Sequence, residues 1–342
     1  MTRFSGLLVV ACWCCLTAGF VRASDNLLSS SIMANSGHSL DGLTTGYSAS
    51  ASESYQNPST GCSDAFNDNC VPECANPWLE NLTFFAGVDG SKQPQDLGVN
   101  ANIGGHFSSN IGIPVWEEYG LGAQFGSALL GTGNAVRVYE IVGETNTRFQ
   151  SYTTIGVYQR LENGVSWGAV YDSLYQDSYD QFRLSQWRIR GQYLLNDSNE
   201  VGVTLTLSGK DDEGDFLASR VRLDAMNQYT AFWRHYYESS AQTTVWLGWV
   251  DGHGESNAVT GYHEPTGAVP VIGADILMPL NDHLVLFGET NLVLPSDTGT
   301  VDAFVGFQWY PWGGGYKNRR NRFAPVLPVA SPTQMSIDAS FL

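Results

Sequence analysis

The stretch VDAFVGFQWYPW, residues 301–312, alternates between two kinds of side chain. Successive side chains of a β-strand point to opposite faces, so every second residue shares a face. One face of this segment is apolar throughout: Val301, Ala303, Val305, Phe307 and Trp309. The other face is mixed: Asp302, Phe304, Gly306, Gln308 and Tyr310. Such a strand places its apolar face either on a protein core or in lipid.

The composition of the chain helps to distinguish these two environments. Charged residues make up 15% of the 342 residues, against about 25% in typical soluble domains. Aromatic residues reach 12%, glycine is abundant at 37 residues, and the mean hydropathy is slightly polar at −0.15. A membrane β-barrel has this profile, because its strands are apolar only at alternate positions. A soluble β-sandwich is the alternative that alternation alone leaves open.

The N-terminus has the form of a secretory signal peptide over residues 1–23. Arg3 supplies the positive start, the run LLVVACWCCL supplies a short apolar core, and small residues precede a cleavage position ahead of Ser24. The apolar run is too short for a membrane-spanning helix. A lipoprotein signal that ends at Cys12 is the alternative. The signal peptide predicts export, and we expect the protein in the cell outer membrane.

Removal of the signal peptide leaves a strongly acidic chain. Two arginines and no acids are lost, so the net charge falls from −17 to about −19, which argues against nucleic acid as a partner. After the signal peptide, no run reaches the ~18 apolar residues of a membrane helix. A membrane location therefore requires a closed barrel, because lipid leaves the edge groups of an open sheet unpaired.

Residues 24–80 predict a disordered linker, because they are rich in serine and asparagine and show little periodicity. Three cysteines lie close together in this segment: Cys62, Cys70 and Cys74. In an oxidising compartment they predict one disulfide with one thiol left over. Zinc binding is the weaker interpretation, because no histidine lies nearby.

Residues 81–312 are predicted to form an all-β fold, an up-and-down antiparallel transmembrane β-barrel of about 12 strands. Most of its segments approach the ~9–11 residues that a tilted strand needs to cross a bilayer. The predicted strands are 82–89, 98–107, 119–130, 151–161, 165–176, 182–195, 200–209, 221–237, 241–250, 268–279, 283–294 and 300–311. Residues 313–342 follow as a C-terminal tail.

Short and long connections alternate through the second half of the chain. The short ones, ENG, NDSN, ESS and LND, carry the residues that tight hairpin turns need. The long ones include 131–150 and 251–267. Bacterial outer-membrane barrels gather short turns at the periplasmic rim and long loops at the other, so the pattern favours a barrel. The segment 108–119 is an exception, because it is expected to be short and reads as long.

The run GADILMPLNDHLVLFGETNLVLPSDTGTVDAFVGFQWYPWGG, the segment WRIRGQYLLNDSNEVGV and the tail RFAPVLPVA resemble an uncharacterised family of planctomycete outer-membrane β-barrel proteins. The resemblance covers roughly 82–330. It implies a barrel in the outer membrane, in contact with its lipid and built by the barrel-assembly machinery, and it carries no catalytic residues. Ordinary barrels of this kind end on the last strand, whereas here the ending MSIDASFL follows later as an insertion signal or a further strand.

Charged residues within the predicted strands fall on the face assigned to the barrel lumen. A charge on the lipid face at mid-depth costs roughly 2–4 kcal/mol, so the lumen is favoured. The candidate lumen or constriction residues are Arg160, Arg188, Arg190, Arg234, Asp275, Glu289 and Asp302. They predict either a constriction that screens ions by charge or salt bridges that fill a structural barrel.

Tryptophans near strand ends are predicted to form girdles at the membrane interfaces. These are Trp167, Trp233, Trp246, Trp249, Trp309 and Trp312. Ordinary core or surface aromatic residues are the alternative interpretation.

Sequence signatures of catalysis are absent. There is no G-x-S-x-G elbow, no H-E-x-x-H and no phosphate loop. His253 and His263 share a loop with Glu255 and Glu264, but a solvated loop explains this weak spacing better than a metal site. The chain is therefore predicted to hold no metal or cofactor and to be no enzyme.

Three functions remain open. The first is an outer-membrane barrel that acts as a small passive channel for small solutes, or as a structural barrel with a charged lumen. The second is a membrane-embedded hydrolase. The third is a secreted β-sandwich that binds carbohydrate through tryptophan and tyrosine.

Overall fold

The computed structural model describes Leu79 and residues 81–96, 101–135, 138–141, 143–217, 219–251, 268–294, 300–316 and 321–341. The predicted signal peptide (1–23), the disulfide predicted among Cys62, Cys70 and Cys74 in the linker, and the loop 252–267 lie outside these ranges. Within the described ranges, no helix is long and apolar enough to cross a membrane.

Fifteen strands are present among the described residues. They are β1 Thr83–Lys92, β2 Asn102–Trp116, β3 Leu121–Asn134, β4 Thr147–Arg160, β5 Val165–Asp177, β6 Gln181–Asn196, β7 Asn199–Ser208, β8 Asp212–Phe216, β9 Ser219–Ala225, β10 Gln228–Tyr236, β11 Gln242–Val250, β12 Val269–Pro279, β13 Leu284–Val293, β14 Val301–Trp309 and β15 Ile337–Phe341. Short helical turns lie at Pro94–Asp96, Glu117–Tyr119 and Val138–Ile141.

Twelve of these strands close into an antiparallel barrel, which confirms the predicted fold. The wall runs in chain order from β1 to β7, continues from β10 to β14, and closes where β14 pairs with β1. In that closing pair Ala86 lies opposite Phe307. The stretch 301–312 therefore contains the strand that closes the barrel.

The connections separate into two rims. One rim, here called the turn rim, carries the tight connections 117–120, 161–164, 197–198, 237–241 and 280–283. The opposite rim, here called the loop rim, carries most of the longer connections, although the β5–β6 turn at 178–180 is tight as well. The alternation of short and long connections thus holds around the barrel except at 178–180.

The exception predicted at 108–119 was wrong, because β2 is longer than the sequence pattern indicated. It continues to Trp116 with a register shift between Pro114 and Trp116, and a turn at 117–120 follows. Gly120 ends this turn at φ +62°, a left-handed conformation that favours glycine. The connection is therefore short, like the others at the turn rim.

The predicted eighth strand, 221–237, is two strands with different partners. Its first part is β9, which pairs with β8 on one side and β15 on the other to form a separate three-stranded sheet. Its second part is β10, which belongs to the wall. The ending MSIDASFL therefore supplies a further strand, β15, but this strand is not part of the barrel wall.

The C-terminal segment, residues 321–341, lies inside the barrel. At the turn rim Arg322 donates from Nη2 to the carbonyl of Glu118 at 3.1 Å. At the loop rim β15 pairs with β9, with Ile337 opposite Ala225. The segment therefore runs the length of the lumen from one rim to the other.

Apolar residues form a core inside the half of the barrel nearest the loop rim. The wall strands β3 to β6, the β8–β9 hairpin and the C-terminal segment all contribute. Its fully or nearly fully buried members are Ala128, Leu130, Tyr152, Leu174, Phe182, Leu184, Phe216, Val221, Leu223, Ala225, Ala330, Met335, Ile337 and Ala339. The lumen is thus packed as a protein interior at this end.

Candidate functional site: the barrel lumen

The two faces of the wall differ as the alternation predicts. On β7 Val203 is 53% exposed and faces outward, whereas its neighbour Thr204 is buried in the lumen. On β13 Val285, Phe287, Glu289 and Asn291 are all buried inward positions. The outward face is apolar and suited to lipid, and the inward face carries most of the polar and charged side chains.

One of the six tryptophans predicted to form the interface girdles does not face outward. Trp246 points into the lumen, where its Nε1 donates to Asn291 Oδ1 at 3.0 Å. Trp249, three residues further along β11, faces outward and is 62% exposed. Residues three apart on a strand lie on opposite faces, so the pair could not have shared one girdle. Four other predicted members face outward or lie exposed: Trp167, Trp233, Trp309 and Trp312.

All seven candidate lumen charges lie on the inner wall, and Arg188 is fully buried there. Its guanidinium makes two hydrogen bonds to Asp172, Nε to Oδ2 at 2.5 Å and Nη2 to Oδ1 at 3.0 Å, with both residues fully buried. It also donates to the Pro328 carbonyl at 2.8 Å and to Gln334 Oε1 at 2.9 Å. Arg188 therefore joins the wall to the C-terminal segment.

Two more of the predicted arginines donate to the backbone of the C-terminal segment. Arg160 Nε lies 3.2 Å from the carbonyl oxygen of Ala324. Arg190 Nη1 lies 3.3 Å from that of Val326, and its Nε donates to Thr204 Oγ1 at 3.0 Å. These contacts place both arginines against the segment in the half of the lumen nearest the turn rim.

Arg234 belongs to a different group of contacts, within the wall itself. It pairs with Glu200 at 2.5 Å and donates to Thr244 Oγ1 at 3.0 Å. Tyr236 donates to the second oxygen of Glu200 at 2.9 Å, and Thr244 donates to Asp275 at 2.8 Å. The predicted acid Asp275 is thus linked to Arg234 through a threonine hydroxyl.

The other two predicted acids contact polar side chains at the loop-rim half. Glu289 accepts hydrogen bonds from Thr333 and Gln334 of the C-terminal segment. Asp302 accepts one from Gln93 Nε2 at 3.0 Å, and the same amide group lies 3.3 Å from the Pro332 carbonyl. The ion partners of Arg188 and Arg234 are therefore not these predicted acids but Asp172 and Glu200, which sequence reasoning missed.

The missed acid Asp172 was available from the same alternation that predicted the arginines. On β5 it lies between Val170 and Leu174 on the inner face. Its oxygens also accept from Thr154 Oγ1 at 2.7 Å and Gln186 Nε2 at 2.9 Å. Side chains of the two neighbouring wall strands, β4 and β6, thus all donate to Asp172 on β5.

A buried ion pair lies at the loop rim of the barrel. Arg148 Nη1 lies 2.9 Å from Asp96 Oδ1, which also accepts from Asn102 Nδ2 at 2.7 Å. Burial raises the pKa of the Asp96 carboxyl, and the Arg148 guanidinium and the Gln93 backbone N–H oppose this effect. The pair joins the first loop to β4 above the core.

Glycines on the inner wall make room for the C-terminal segment. A Cβ added at Gly112 would lie 2.2 Å from the Phe323 carbonyl oxygen, and one at Gly126 would lie 2.4 Å from a methyl group of Val329. A Cβ at Gly168 would lie 2.9 Å from a methyl group of Leu327. The wall of β2, β3 and β5 is therefore shaped to the segment.

Two cavities remain beside the segment. The larger, here called the rim cavity, has a volume of ≈ 110 Å³ and lies between the segment and the inner faces of β1, β2 and β12 to β14. The smaller, ≈ 40 Å³, is lined by wall residues that include Arg190 and Asp275. Glu289 and Pro328 line both.

The closed twelve-strand wall, with its apolar outside and polar inside, has the fold of outer-membrane β-barrels. The chain belongs to a family of unknown function (DUF6666), whose model matches residues 81–337. The planctomycete origin implied by the sequence resemblance stays a prediction. The sequence matches no curated protein.

Solved outer-membrane proteins are similar to the chain in fold alone. The outer membrane channel COG4313 from Pseudomonas putida F1 is 9% identical with a TM-score of 0.46, over 67% of this chain and 92% of that one. The KdgM porin is 10% identical with a TM-score of 0.38, over 67% and 98%. Outer membrane phospholipase A from Escherichia coli is 11% identical with a TM-score of 0.37, over 66% and 89%.

Proposed function

We propose that this protein is an outer-membrane β-barrel whose lumen is closed by its own C-terminal segment, so that it serves as a structural barrel and not as an open pore. The observation that carries the proposal is the course of residues 321–341 through the lumen from the turn rim to the loop rim. Outer-membrane lipid surrounds the wall, the turn rim faces the periplasm, and the protein has no catalytic role.

Two kinds of contact support closure. Near the loop rim, Met335 and Ile337 are fully buried against the wall and the β8–β9 hairpin. Nearer the turn rim, side chains of the wall donate to backbone carbonyls of the segment, as Gln124 Nε2 does to Leu327 at 2.8 Å. Removing the segment would break these hydrogen bonds and expose the apolar core to water, and the exposure of the core is unfavourable.

Conductance across planar lipid bilayers tests the proposal. The purified full chain is expected to give no steady current steps, whereas a chain truncated after Tyr316 is expected to conduct. Heat-dependent gel mobility of both proteins in detergent checks that each barrel is folded. Steady steps from the folded full chain would contradict closure.

A small passive channel is the second candidate, and the rim cavity favours it. The cavity leaves space beside the segment, so a shift of the segment would join it to the rest of the lumen. Arg188 and Arg190 would then line the passage and favour anions. In the truncated chain, changing both to serine is expected to shift the reversal potential toward cation preference, whereas changing the outward-facing Arg183 to serine is not. Equal selectivity in all three proteins would remove these arginines from the passage.

A further inference from the structure

The rim cavity combines an aromatic wall with unsatisfied polar groups at its inner end. Phe85, Phe287 and Phe304 line it and contact one another edge to face, with ring centroids 5.2–5.9 Å apart. Asn81 and Gly314 line its opposite end, at the turn rim. On the closing strand pair, Phe85 lies opposite Gln308 near the turn rim and Phe304 lies deeper, opposite Asp89, so the rings extend along the depth of the cavity.

His106 also lines this cavity and is 95% enclosed, with 5% of its surface exposed. Its ring packs edge to face against Phe85 at 4.9 Å and against Phe304 at 5.1 Å. Neither ring nitrogen has a hydrogen-bond partner among the described residues. A buried polar group without a partner is unfavourable, so the imidazole is available to a ligand in the cavity.

Acidic side chains lie near His106. Asp89 is fully buried with its Oδ2 3.9 Å from His106 Nδ1, and neither of its oxygens has a hydrogen-bond partner in the described parts of the chain. Glu289 lines the cavity, and Asp302 lies one strand away from Asp89, on β14. The neighbouring Arg148 is already paired with Asp96. Glu289 is thus the carboxylate that the cavity itself presents to a ligand.

We propose that the rim cavity binds a small alkylammonium ion. Its N–H groups would donate to His106, the negative charge of Glu289 would favour its charge, and its alkyl body would contact the phenylalanine rings. Aromatic faces attract cations, and this attraction strengthens when water is excluded. A volume of ≈ 110 Å³ suits a body of four or five heavy atoms, because a cavity of about 150 Å³ accommodates benzene.

Three probes of similar size separate the parts of this proposal. The tert-butylammonium ion has the charge and the N–H groups, tetramethylammonium has the charge alone, and tert-butanol has neither positive charge nor an ammonium group. Saturation-transfer NMR on the full chain in detergent measures their dissociation constants. We expect tert-butylammonium to bind about tenfold more tightly than tert-butanol, with tetramethylammonium between them. Equal binding of all three, or none by tert-butylammonium, would overturn the proposal.

Isosteric variants connect the binding to the cavity. Glu289→Gln keeps the side-chain shape and the acceptor oxygen for Thr333 and removes the charge, so tert-butylammonium binding should weaken about tenfold while tert-butanol binding is unchanged. Asp275→Asn is the matched control, because Asp275 is a buried acid that lines only the smaller cavity among the two. Heat-dependent gel mobility confirms folding of each variant. An unchanged affinity in folded Glu289→Gln, or an equal loss in Asp275→Asn, would contradict the assignment.

The binding experiment and the conductance experiment are independent. A closed barrel can bind an ammonium ion in a cavity that opens at one rim, and an open barrel can lack such a site. Binding in the absence of current would therefore support both proposals, and current without binding would contradict both.

Discussion

The two halves of the lumen are filled in different ways. Toward the loop rim the interior is an apolar core in which Leu130, Leu174 and Met335 are 1% exposed or less. Toward the turn rim the same C-terminal segment is held by arginine, glutamine and tyrosine side chains, and a cavity remains beside it. One chain thus passes through two environments of opposite polarity.

The difference follows from where the backbone of the segment finds its hydrogen bonds. At the loop rim β15 pairs with β9, so the ladder satisfies the backbone and the wall can be apolar. Nearer the turn rim the segment has no strand partner in the described structure, and the wall provides donors for its carbonyls. The polarity of the inner wall therefore depends on whether the segment has a strand partner.

The boundary between the halves falls on one strand. Asp172 and Leu174 are both fully buried on the inner face of β5, two residues apart. Asp172 binds Arg188, whereas Leu174 belongs to the apolar core. These two positions allow the two halves to be compared with the backbone held constant.

Breaking the buried ion pair should have the largest effect. Asp172→Ala leaves the enclosed Arg188 guanidinium without its carboxylate, and we expect a loss of about 3–5 kcal/mol in the free energy of unfolding. Urea unfolding in detergent, followed by tryptophan fluorescence, measures it. The control is Glu213→Ala, which breaks an exposed pair with Arg220 and should cost below about 1 kcal/mol. Equal effects would mean that Arg188 finds another partner.

Opening a space in the apolar half should have a similar or slightly smaller effect. Leu174→Ala should cost about 2–5 kcal/mol, because the packed surroundings can collapse only partly into the vacated volume. The same unfolding measurement on Leu207→Ala, at a half-exposed outward position of β7, should give a clearly smaller loss. If both variants unfold alike, the interior of this half is not packed as a core.

Adding a side chain at a glycine that faces the C-terminal segment should destabilise the half of the lumen nearest the turn rim. Gly126→Val places methyl groups where Val329 lies, so we expect a loss of about 1–3 kcal/mol and a weaker hold on the segment. Protease cleavage of the segment in detergent should accelerate in parallel. Gly131→Val is the matched control on the same strand, since a Cβ there meets open space. Faster cleavage in the control would contradict a local cause.

Two tyrosines on β4 provide the smallest comparison. Tyr158 donates its hydroxyl to the Phe323 carbonyl at 2.5 Å, so Tyr158→Phe should cost about 1 kcal/mol. Tyr152, in the apolar half, has a hydroxyl without a hydrogen-bond partner among the described residues. Tyr152→Phe should therefore be neutral or slightly stabilising in the same unfolding measurement. A larger loss of the free energy of unfolding in Tyr152→Phe than in Tyr158→Phe would contradict the assignment of the polar half to the turn rim.

The wall could be predicted from the sequence because strand alternation is a local signal. It gave the twelve wall strands and the inward direction of Arg188 and Glu289. It failed where a break is short, since only Met226 and Asn227 separate β9 from β10 and the apolar pattern continues across them.

The position of the C-terminal segment could not be predicted in this way. Its proline-containing run from Phe323 to Pro332 has no periodicity, and its partners, such as Thr154 and Gln124, lie far away in sequence. Glycine within a strand also marks bulges and bends, so the glycines that face the segment do not by themselves indicate it. Contacts of this kind become visible only when the wall is closed around them.

The C-terminal segment crosses the barrel as a thirteenth passage of the chain, and this passage decides at which rim the chain ends. Twelve wall strands are an even number, and alone they would return the chain to the rim where Leu79 lies. The segment from Asn321 to Phe341 then travels back through the interior, so residue 341 lies at the opposite rim. A peptide epitope attached beyond Phe341 would consequently emerge at the loop rim, with the long loops and not with the tight turns.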